Sequence, residues 1–250
     1  MTAAWCEDRL FFFAEEKLKH FILPDKLYLR LLVQRRLRKG EKELHILPFI
    51  VPRGGTSINI GANKGLYSWL LSLLSDRAQA FEPNPKIYAL LMGAVPANVA
   101  THEITLSNKN GEADLILPIH RTGRYSNQGA TLQTRKLGAE QDFGLVKVAR
   151  KRLDDYEFTN VSFVKIDVEG YELEVHEGAR EMLARERPAL LIDIEEKYNK
   201  RPLGEAIATI KGYGYDCFYV STTALRHFSH FATDTEKSPT NNFIFLPVDG

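Results

Sequence analysis

Cysteine is scarce in this sequence: Cys6 and Cys217 are the two it contains, and they lie far apart. Two distant cysteines provide neither a disulfide framework nor metal-ligand spacing, which favours a reducing compartment. Long hydrophobic runs are also lacking, since no apolar stretch approaches the roughly 20 residues that a transmembrane helix needs. The brief apolar run at Leu10–Phe13 follows acidic residues, which is not typical of a signal peptide. We therefore expect a soluble, cytoplasmic protein.

The sequence also lacks an excess of charge of either sign. The chain has 33 Lys and Arg against 32 Asp and Glu, a formal net charge of +1. This balance creates no overall field that would attract nucleic acid, so we expect no nucleic-acid partner. Apolar residues make up 44% of the 250 residues, which excludes wholesale disorder. The length fits one large α/β domain, or one and a half small ones.

The most informative stretch is residues 56–84. Ile58 and Ile60 form a short apolar run typical of a buried strand, and a small-residue turn, Gly-Ala-Asn-Lys-Gly, follows at 61–65. A segment with helical apolar periodicity comes next, then a second short strand that ends at Glu82. This order predicts a strand, a glycine turn, a helix and a strand ending in an acid.

That arrangement predicts a nucleoside pocket at the carboxyl edge of a parallel sheet. Glycine at 61 and 65 allows a ligand to approach the backbone closely, and we expect bare N–H groups at the start of the helix. Glu82 can accept hydrogen bonds from both ribose hydroxyls. The turn matches neither the G-x-G-x-x-G dinucleotide fingerprint nor the P-loop, which argues against an NAD-dependent oxidoreductase.

Acidic residues also end two later strands. The apolar run Ser162–Ile166 leads into Asp167-Val168-Glu169-Gly170, and another apolar strand leads into Asp193 and Glu195. Ligand crevices lie at such carboxyl ends. If strand geometry persists, Asp167 and Glu169 point to the same side. The alternative interpretation is that Glu169 and Gly170 merely begin the next helix.

Four segments, in order, carry a family resemblance: INIGANKGLYS at 58–68, AFEPNP at 80–85, VKIDVEGYELEVHEGA at 164–179 and RPALLIDIEE at 187–196. They resemble the FkbM-type methyltransferases, which use S-adenosylmethionine (SAM) and release S-adenosylhomocysteine (SAH). The resemblance implies a class I methyltransferase fold, Rossmann-like, with a seven-stranded, mostly parallel sheet. It also implies O-methylation of a hydroxyl on a small molecule, glycan or natural product.

The resemblance and the strand ends together assign candidate site residues. The cofactor-binding candidates are Asn59, Gly61, Ala62, Asn63, Gly65, Ser68, Glu82, Pro83, Asn84, Ser107 and Asp167. Ser107 has an equally good interpretation as part of a turn. Glu169 or Asp167 is expected to be the catalytic base, with the other orienting SAM or the acceptor. No dedicated metal cluster is expected, although two carboxylates could hold Mg²⁺, so metal assistance stays open.

Residues 120–144 carry little apolar periodicity and are predicted to form a lid that contacts the substrate. The substrate-binding candidates are Arg124, Asn127, Gln128, Gly129 and, at the fifth strand, Glu195. The alternative is a solvated loop.

The chain is predicted to divide into an N-terminal helical extension, 1–50, and a methyltransferase domain, 51–250. Residues 44–51 alternate enough to predict an edge strand, and the extension could mediate homo-oligomer formation. Its basic run at 35–39 is expected to be a solvated helix end, or a contact with an anionic surface. The alternative function is a non-catalytic interaction protein on a methyltransferase scaffold. Asn59 slightly favours it, because similar proteins often carry Asp there.

Overall fold

A computed structural model describes residues 24–118, 132, 143–196, 202–222, 224–235 and 240–248. Seven α-helices lie in these ranges: α1 Asp25–Lys39, α2 Glu43–Ile50, α3 Leu66–Leu71, α4 Pro85–Ala94, α5 Glu172–Glu177, α6 Arg180–Glu186 and α7 Leu203–Lys211. Eleven strands accompany them: β1 Thr56–Ile60, β2 Arg77–Phe81, β3 Val99–His102, β4 Thr105–Leu106, β5 Gly111–Pro118, β6 Phe143–Lys151, β7 Val161–Ile166, β8 Ala189–Asp193, β9 Tyr215–Val220, β10 Leu225–His227 and β11 Asn242–Pro247.

The main sheet is mixed and has eight strands in the order β10-β9-β11-β8-β7-β1-β2-β3. The pairs from β8 to β3 are parallel, whereas β11 pairs antiparallel with both β8 and β9. The α/β class is confirmed, but the predicted count of seven strands is wrong. The additional strand, β10, is a segment of three residues, Leu-Arg-His, on the edge of the sheet and antiparallel to β9. Such a segment carries no apolar periodicity that would reveal it.

A small second sheet, in the order β4-β6-β5, stands beside the first. Residues 99–106 divide between the two sheets, because β3 ends at His102 and β4 begins at Thr105. Between β5 and β6 lies the long segment in which the lid was predicted.

The predicted strand at 44–51 is instead the helix α2. Leu44, Leu47 and Ile50 are all buried, and their spacing of three residues places them on one face of a helix. The segment after β7 forms two short helices, because α5 ends before Gly178 and α6 begins at Arg180. A Cβ at Gly178 would lie 1.9 Å from the backbone oxygen of Ser107, so this close contact requires glycine at the junction of the two helices.

The helices before residue 50 share a core with the sheet. Leu29 and Val33 of α1 lie in the same buried cluster as Phe163 of β7 and Leu191 of β8. The predicted division at residues 50 and 51 stays a prediction, and the buried cluster continues across it. None of the helices in the described ranges is both long and apolar enough to cross a bilayer.

Candidate active site

One row of paired residues crosses four parallel strands at their carboxyl ends. Ile60 of β1 pairs with Phe81 of β2 and with Ile166 of β7, which in turn pairs with Ile192 of β8. The residues that come next along these strands are Gly61, Glu82, Asp167 and Asp193. Since parallel strands present their carboxyl ends at one edge, the register brings these four together.

A cavity of about 660 Å³ opens at this edge. Its volume is within the range of pockets that hold drug-sized ligands and cofactors. The sequence-predicted site residues that line it are Gly61, Ala62, Asn63, Glu82, Pro83, Asn84, Asp167 and Glu169. The predicted glycine turn, ribose acid and strand-end acids thus face a single space.

The turn from β1 to α3 is closed tightly against β7. Gly61 has φ +78°, and a Cβ there would lie 1.8 Å from the backbone oxygen of Asp167, so glycine is required. The amides of the turn all donate inside the protein: Gly61 and Ala62 to the Phe81 oxygen, Asn63 to Glu82 Oε2, Lys64 to its neighbour's Oδ1, and Gly65 to the Ala62 oxygen. The amides of residues 61–65 are therefore used by the turn's own hydrogen bonds, whereas the bare N–H groups expected at the start of α3 stay a prediction.

Glu82 is buried at the end of β2, and its two carboxylate oxygens are held separately. Oε2 accepts a hydrogen bond from the Asn63 amide at 2.8 Å, and Oε1 accepts one from the Asn84 amide at 2.9 Å. Burial raises the pKa of Glu82 to about 7, opposed by these two bonds and reinforced by the nearby charge of Asp167. Each oxygen retains further lone pairs for a ligand hydroxyl.

Asp167 is fixed by a lysine that lies two residues earlier on the same strand. Lys165 is 1% exposed, and its Nζ lies 2.7 Å from Asp167 Oδ2. The ammonium also lies 4.3 Å from the centroid of the Tyr67 ring, which gives a cation–π contact. Sequence reasoning assigned Lys165 no role, although a lysine inside an otherwise apolar strand was the available signal.

Asp193, at the end of β8, is a cavity residue to which the sequence assigned no role. Its pKa is raised to about 7, first by burial and then by the charge of Asp167, whereas Lys165 acts in the opposite direction. Its Oδ1 atom is buried and has no hydrogen-bond partner in the part of the chain that the structure describes. The sequence already places Asp193 at the carboxyl end of a buried strand, but this local pattern does not show that its side chain lines the cavity while that of Glu195 does not.

Glu169 lies beyond the end of β7, and strand alternation does not extend to it. The strand stops at Ile166, and Glu169 has φ +56°, in the left-handed region. The expected strand alternation of Asp167 and Glu169 is thus wrong, because the chain turns between them. Both residues nevertheless line the cavity.

The N-terminal helix α1 forms one wall of the cavity. Tyr28, Leu32 and Arg36 line it from α1, and Glu41 lines it from the connection to α2. The Tyr67 hydroxyl donates a hydrogen bond to Glu41 Oε2, which ties this wall to α3. These residues are far from the motifs in sequence, so no local pattern indicates them.

Five of the predicted site residues do not line the cavity. Asn59 of β1 and Ser68 of α3 are both buried, and Asn59 Nδ2 donates a hydrogen bond to Ser68 Oγ at 2.8 Å. Gly65 packs against α4, where a Cβ would lie 2.9 Å from Leu91 Cδ1. Ser107 is 1% exposed, and Glu195 follows β8 outside the cavity lining.

The other predicted substrate residues, Arg124, Asn127, Gln128 and Gly129, lie outside the described residues, as does most of the predicted lid. Within that segment, the described residue Leu132 lines the cavity. Among the residues that the structure describes, no group of three or more His, Cys, Asp or Glu side chains could hold a metal ion.

Comparisons with known proteins agree with this geometry. The family model described as the methyltransferase FkbM domain matches residues 59–217, more than half of the chain. No curated protein matches the chain significantly. Among solved structures, the FkbM methyltransferase of Methylobacillus flagellatus KT is similar at 15% identity and a TM-score of 0.50, covering 77% of this chain and 44% of that one. The chain therefore spans less than half the length of this relative.

Other solved structures align over more of their own length but less closely in shape. The precorrin 8w decarboxylase of Methanobacterium thermoautotrophicum aligns at 11% identity and a TM-score of 0.46, over 85% of this chain and 91% of that one. A Streptococcus mutans structure in complex with SAH aligns at 9% identity and a TM-score of 0.41, over 81% and 94%. With the family model and the Methylobacillus structure, the fold is that of a class I methyltransferase. The chain belongs to the FkbM family of SAM-dependent methyltransferases.

Proposed function

We propose that this protein is an O-methyltransferase that transfers the methyl group of SAM to a hydroxyl of a small molecule, glycan or natural product. The observation that carries the proposal is the single cavity in which the glycine turn and Glu82 meet Asp167, Glu169 and Asp193. The glycine turn and Glu82 suit a nucleoside. The other three carboxylates suit both a sulfonium cation and an acceptor hydroxyl.

The residues around the cavity fit SAM chemically. Glu82 is proposed to hold the ribose hydroxyls through the lone pairs that its two amide bonds leave available. The turn at Gly61 brings the backbone close to this space without a side chain in the way. When bound, SAM supplies an electrophilic methyl group; the carboxylates of the cavity would attract its positive charge.

Asp167 and Glu169 are proposed as catalytic residues that contact the acceptor. Asp167 is held at a fixed place by Lys165, so it is suited to orienting the acceptor for in-line attack. Glu169 lines the same cavity and is proposed to contact the acceptor next to its reacting hydroxyl. Alignment at about 3 Å between the acceptor oxygen and the methyl carbon is the main task of such a site.

The acceptor is proposed to lie against α1. Tyr28 and Leu32 offer aromatic and apolar surface, while Arg36 and Lys64 offer positive charge. The predicted contacts from Arg124, Asn127, Gln128, Gly129 and Glu195 remain proposals for the same acceptor. The division into residues 1–50 and 51–250 likewise remains a proposal.

The test has two stages. Calorimetry with purified protein should show binding of SAM and SAH but not of NAD, and absence of SAM binding at millimolar concentration contradicts the proposal. Cell extracts incubated with the protein and radiolabelled SAM should then yield a labelled product with its methyl group on oxygen, located by mass spectrometry. SAM binding without any labelled product would favour the alternative, an interaction protein that retains the methyltransferase scaffold.

A further inference from the structure

We infer that Asp193 is a further catalytic residue, the carboxylate that receives the proton of the acceptor hydroxyl during methyl transfer. The inference rests on the proposed function, which supplies the acceptor and SAM. It differs from the expectation based on sequence, which placed the base at Glu169 or Asp167.

The position of Asp193 follows from the strand register. Ile192 pairs with Ile166, so Asp193 lies beside Asp167 on the neighbouring strand, directly after the same paired row. On its other side, Asp193 pairs with Asn242 of β11, which carries no charge. Both aspartates line the cavity, so the side chain of Asp193 reaches the same space as the proposed acceptor contacts.

Hydrogen bonding separates Asp193 from the other strand-end carboxylates. Glu82 has both oxygens bonded to backbone amides, and Asp167 Oδ2 is bonded to the Lys165 ammonium. Asp193 Oδ1 is buried, yet no described residue donates to it. A buried acceptor without a donor is costly, and a hydroxyl bound in the cavity would satisfy it.

The charges around Asp193 support a role in proton transfer. Asp167 on β7, Glu195 beyond β8 and Glu172 on α5 disfavour a further negative charge, and Lys165 on β7 favours one. Together with burial they raise the pKa of Asp193 to about 7. A base with a pKa near the working pH combines availability with proton affinity, which is the most effective combination.

The step balances as a displacement. The acceptor oxygen forms a bond to the methyl carbon, and the carbon–sulfur bond breaks with its electron pair retained by sulfur, which leaves the neutral thioether of SAH. The acceptor O–H bond breaks, and its proton passes to Asp193. Asp193 then releases the proton to solvent when the products leave.

This role has a consequence that needs no acceptor to test. A proton acceptor must lie within hydrogen-bond reach of the oxygen that attacks the methyl carbon, so it also lies within about 7 Å of the sulfonium. SAM carries the positive sulfonium and SAH does not, whereas their ribose, amino and carboxylate groups are the same. SAM binding should therefore lower the pKa of Asp193 and release a proton, and SAH binding should not.

Calorimetry of wild-type protein in buffers of different ionisation enthalpy measures these protons directly. Near pH 7 we expect SAM to release a few tenths of a proton more than SAH does. The ratio of the SAH to the SAM dissociation constant should also rise between about pH 5.5 and 8.5, on the order of tenfold. Asp193→Asn should abolish both differences while still binding SAM.

Glu82→Gln is the matched control, because Glu82 is the other cavity carboxyl with a pKa of about 7. It should weaken SAM and SAH alike and keep the extra proton that SAM releases. Equal proton release by SAM and SAH, or an extra release that persists in Asp193→Asn, overturns the inference and leaves the proposed function standing. Failure to bind SAM at all contradicts the proposed function and the inference together. If Asp193→Asn does not fold, the wild-type and Glu82→Gln measurements together decide the matter: equal release by SAM and SAH, or an extra release lost in Glu82→Gln, overturns the inference.

Discussion

At the scale of single residues, Glu82 has a structural contact that the sequence did not predict, in addition to the predicted ribose-binding role. The sequence predicts a ribose acid, and the structure adds that the same carboxylate holds the amides of Asn63 and Asn84. It therefore fixes the shape of the turn that lines the cavity, and its remaining lone pairs are those proposed to hold the ribose hydroxyls.

We predict that Glu82→Ala weakens SAM binding at least about tenfold, because a hydrogen bond to a charged group contributes roughly 1.5–3 kcal/mol. Calorimetry measures the affinity, and Glu112→Gln, exposed on β5 away from the cavity, is the control that should bind like the wild type. An unchanged dissociation constant in folded Glu82→Ala would show that the ribose hydroxyls are held elsewhere.

The protonation of Asp193 also affects the stability of the fold. Its pKa is raised from 3.8 to about 7, so the folded state binds more protons than the unfolded state between these values. The free energy of unfolding therefore falls as pH rises through this range.

Asp193→Asn should remove this fall in the free energy of unfolding. We therefore expect the variant to be more stable than the wild type at pH 8, with little difference near pH 4. Urea unfolding at both pH values checks this. The control is Asp216→Asn on β9: its partners Lys211 and His227 lower the pKa of Asp216, so its contribution is present at neutral pH and lost in acid. That control should not become more stable at pH 8. A uniform gain for Asp193→Asn across the pH range would contradict the protonation argument.

At the scale of elements, the strand–turn–helix at 56–71 was predictable because its signals are local. Buried strand residues, glycines and helical periodicity follow one another without interruption. The need for glycine at 61 has a tertiary cause in addition to φ, since the turn contacts the backbone of Asp167.

We predict that Gly61→Ala destabilises the fold by more than the roughly 1–2 kcal/mol that a left-handed φ costs an L-residue, and that it abolishes SAM binding. The reason is that its Cβ would lie 1.8 Å from a backbone oxygen, which only a backbone shift can relieve. In Gly204→Ala, near the start of α7, the new Cβ meets nothing within 4 Å, so this control should be neutral or stabilised by up to about 1 kcal/mol. Urea unfolding compares the two, and equal effects would disprove the contact argument.

At the scale of the whole molecule, α1 is part of both the core and the cavity. It lies before residue 59, where the family match begins, yet Leu29 is completely buried and Tyr28 and Arg36 line the cavity. This packing predicts that the helices α1 and α2 cannot be removed without cost to fold and site.

Leu29→Ala should lower the free energy of unfolding by about 2–5 kcal/mol, the usual cost of truncating a buried leucine. Leu27→Ala, on the same helix but 45% exposed, is the matched control and should change it by about 0.5 kcal/mol or less. Denaturant unfolding of the full chain measures both. A Leu29→Ala variant as stable as Leu27→Ala would show that α1 is not integrated into the core.

The sequence by itself determined what depends on neighbours along the chain: the α/β class, the turn at 61–65, and the acids Glu82, Asp167 and Glu169 near strand ends. Only the tertiary structure decided that Asp193 lies beside Asp167, that Lys165 pairs with it, and that α1 closes the cavity with Tyr28 and Arg36. It also decided that α2 is a helix and that β10 adds an eighth strand. The physical reason is that these features depend on strand register, burial and packing between distant segments, which no local pattern of residues specifies.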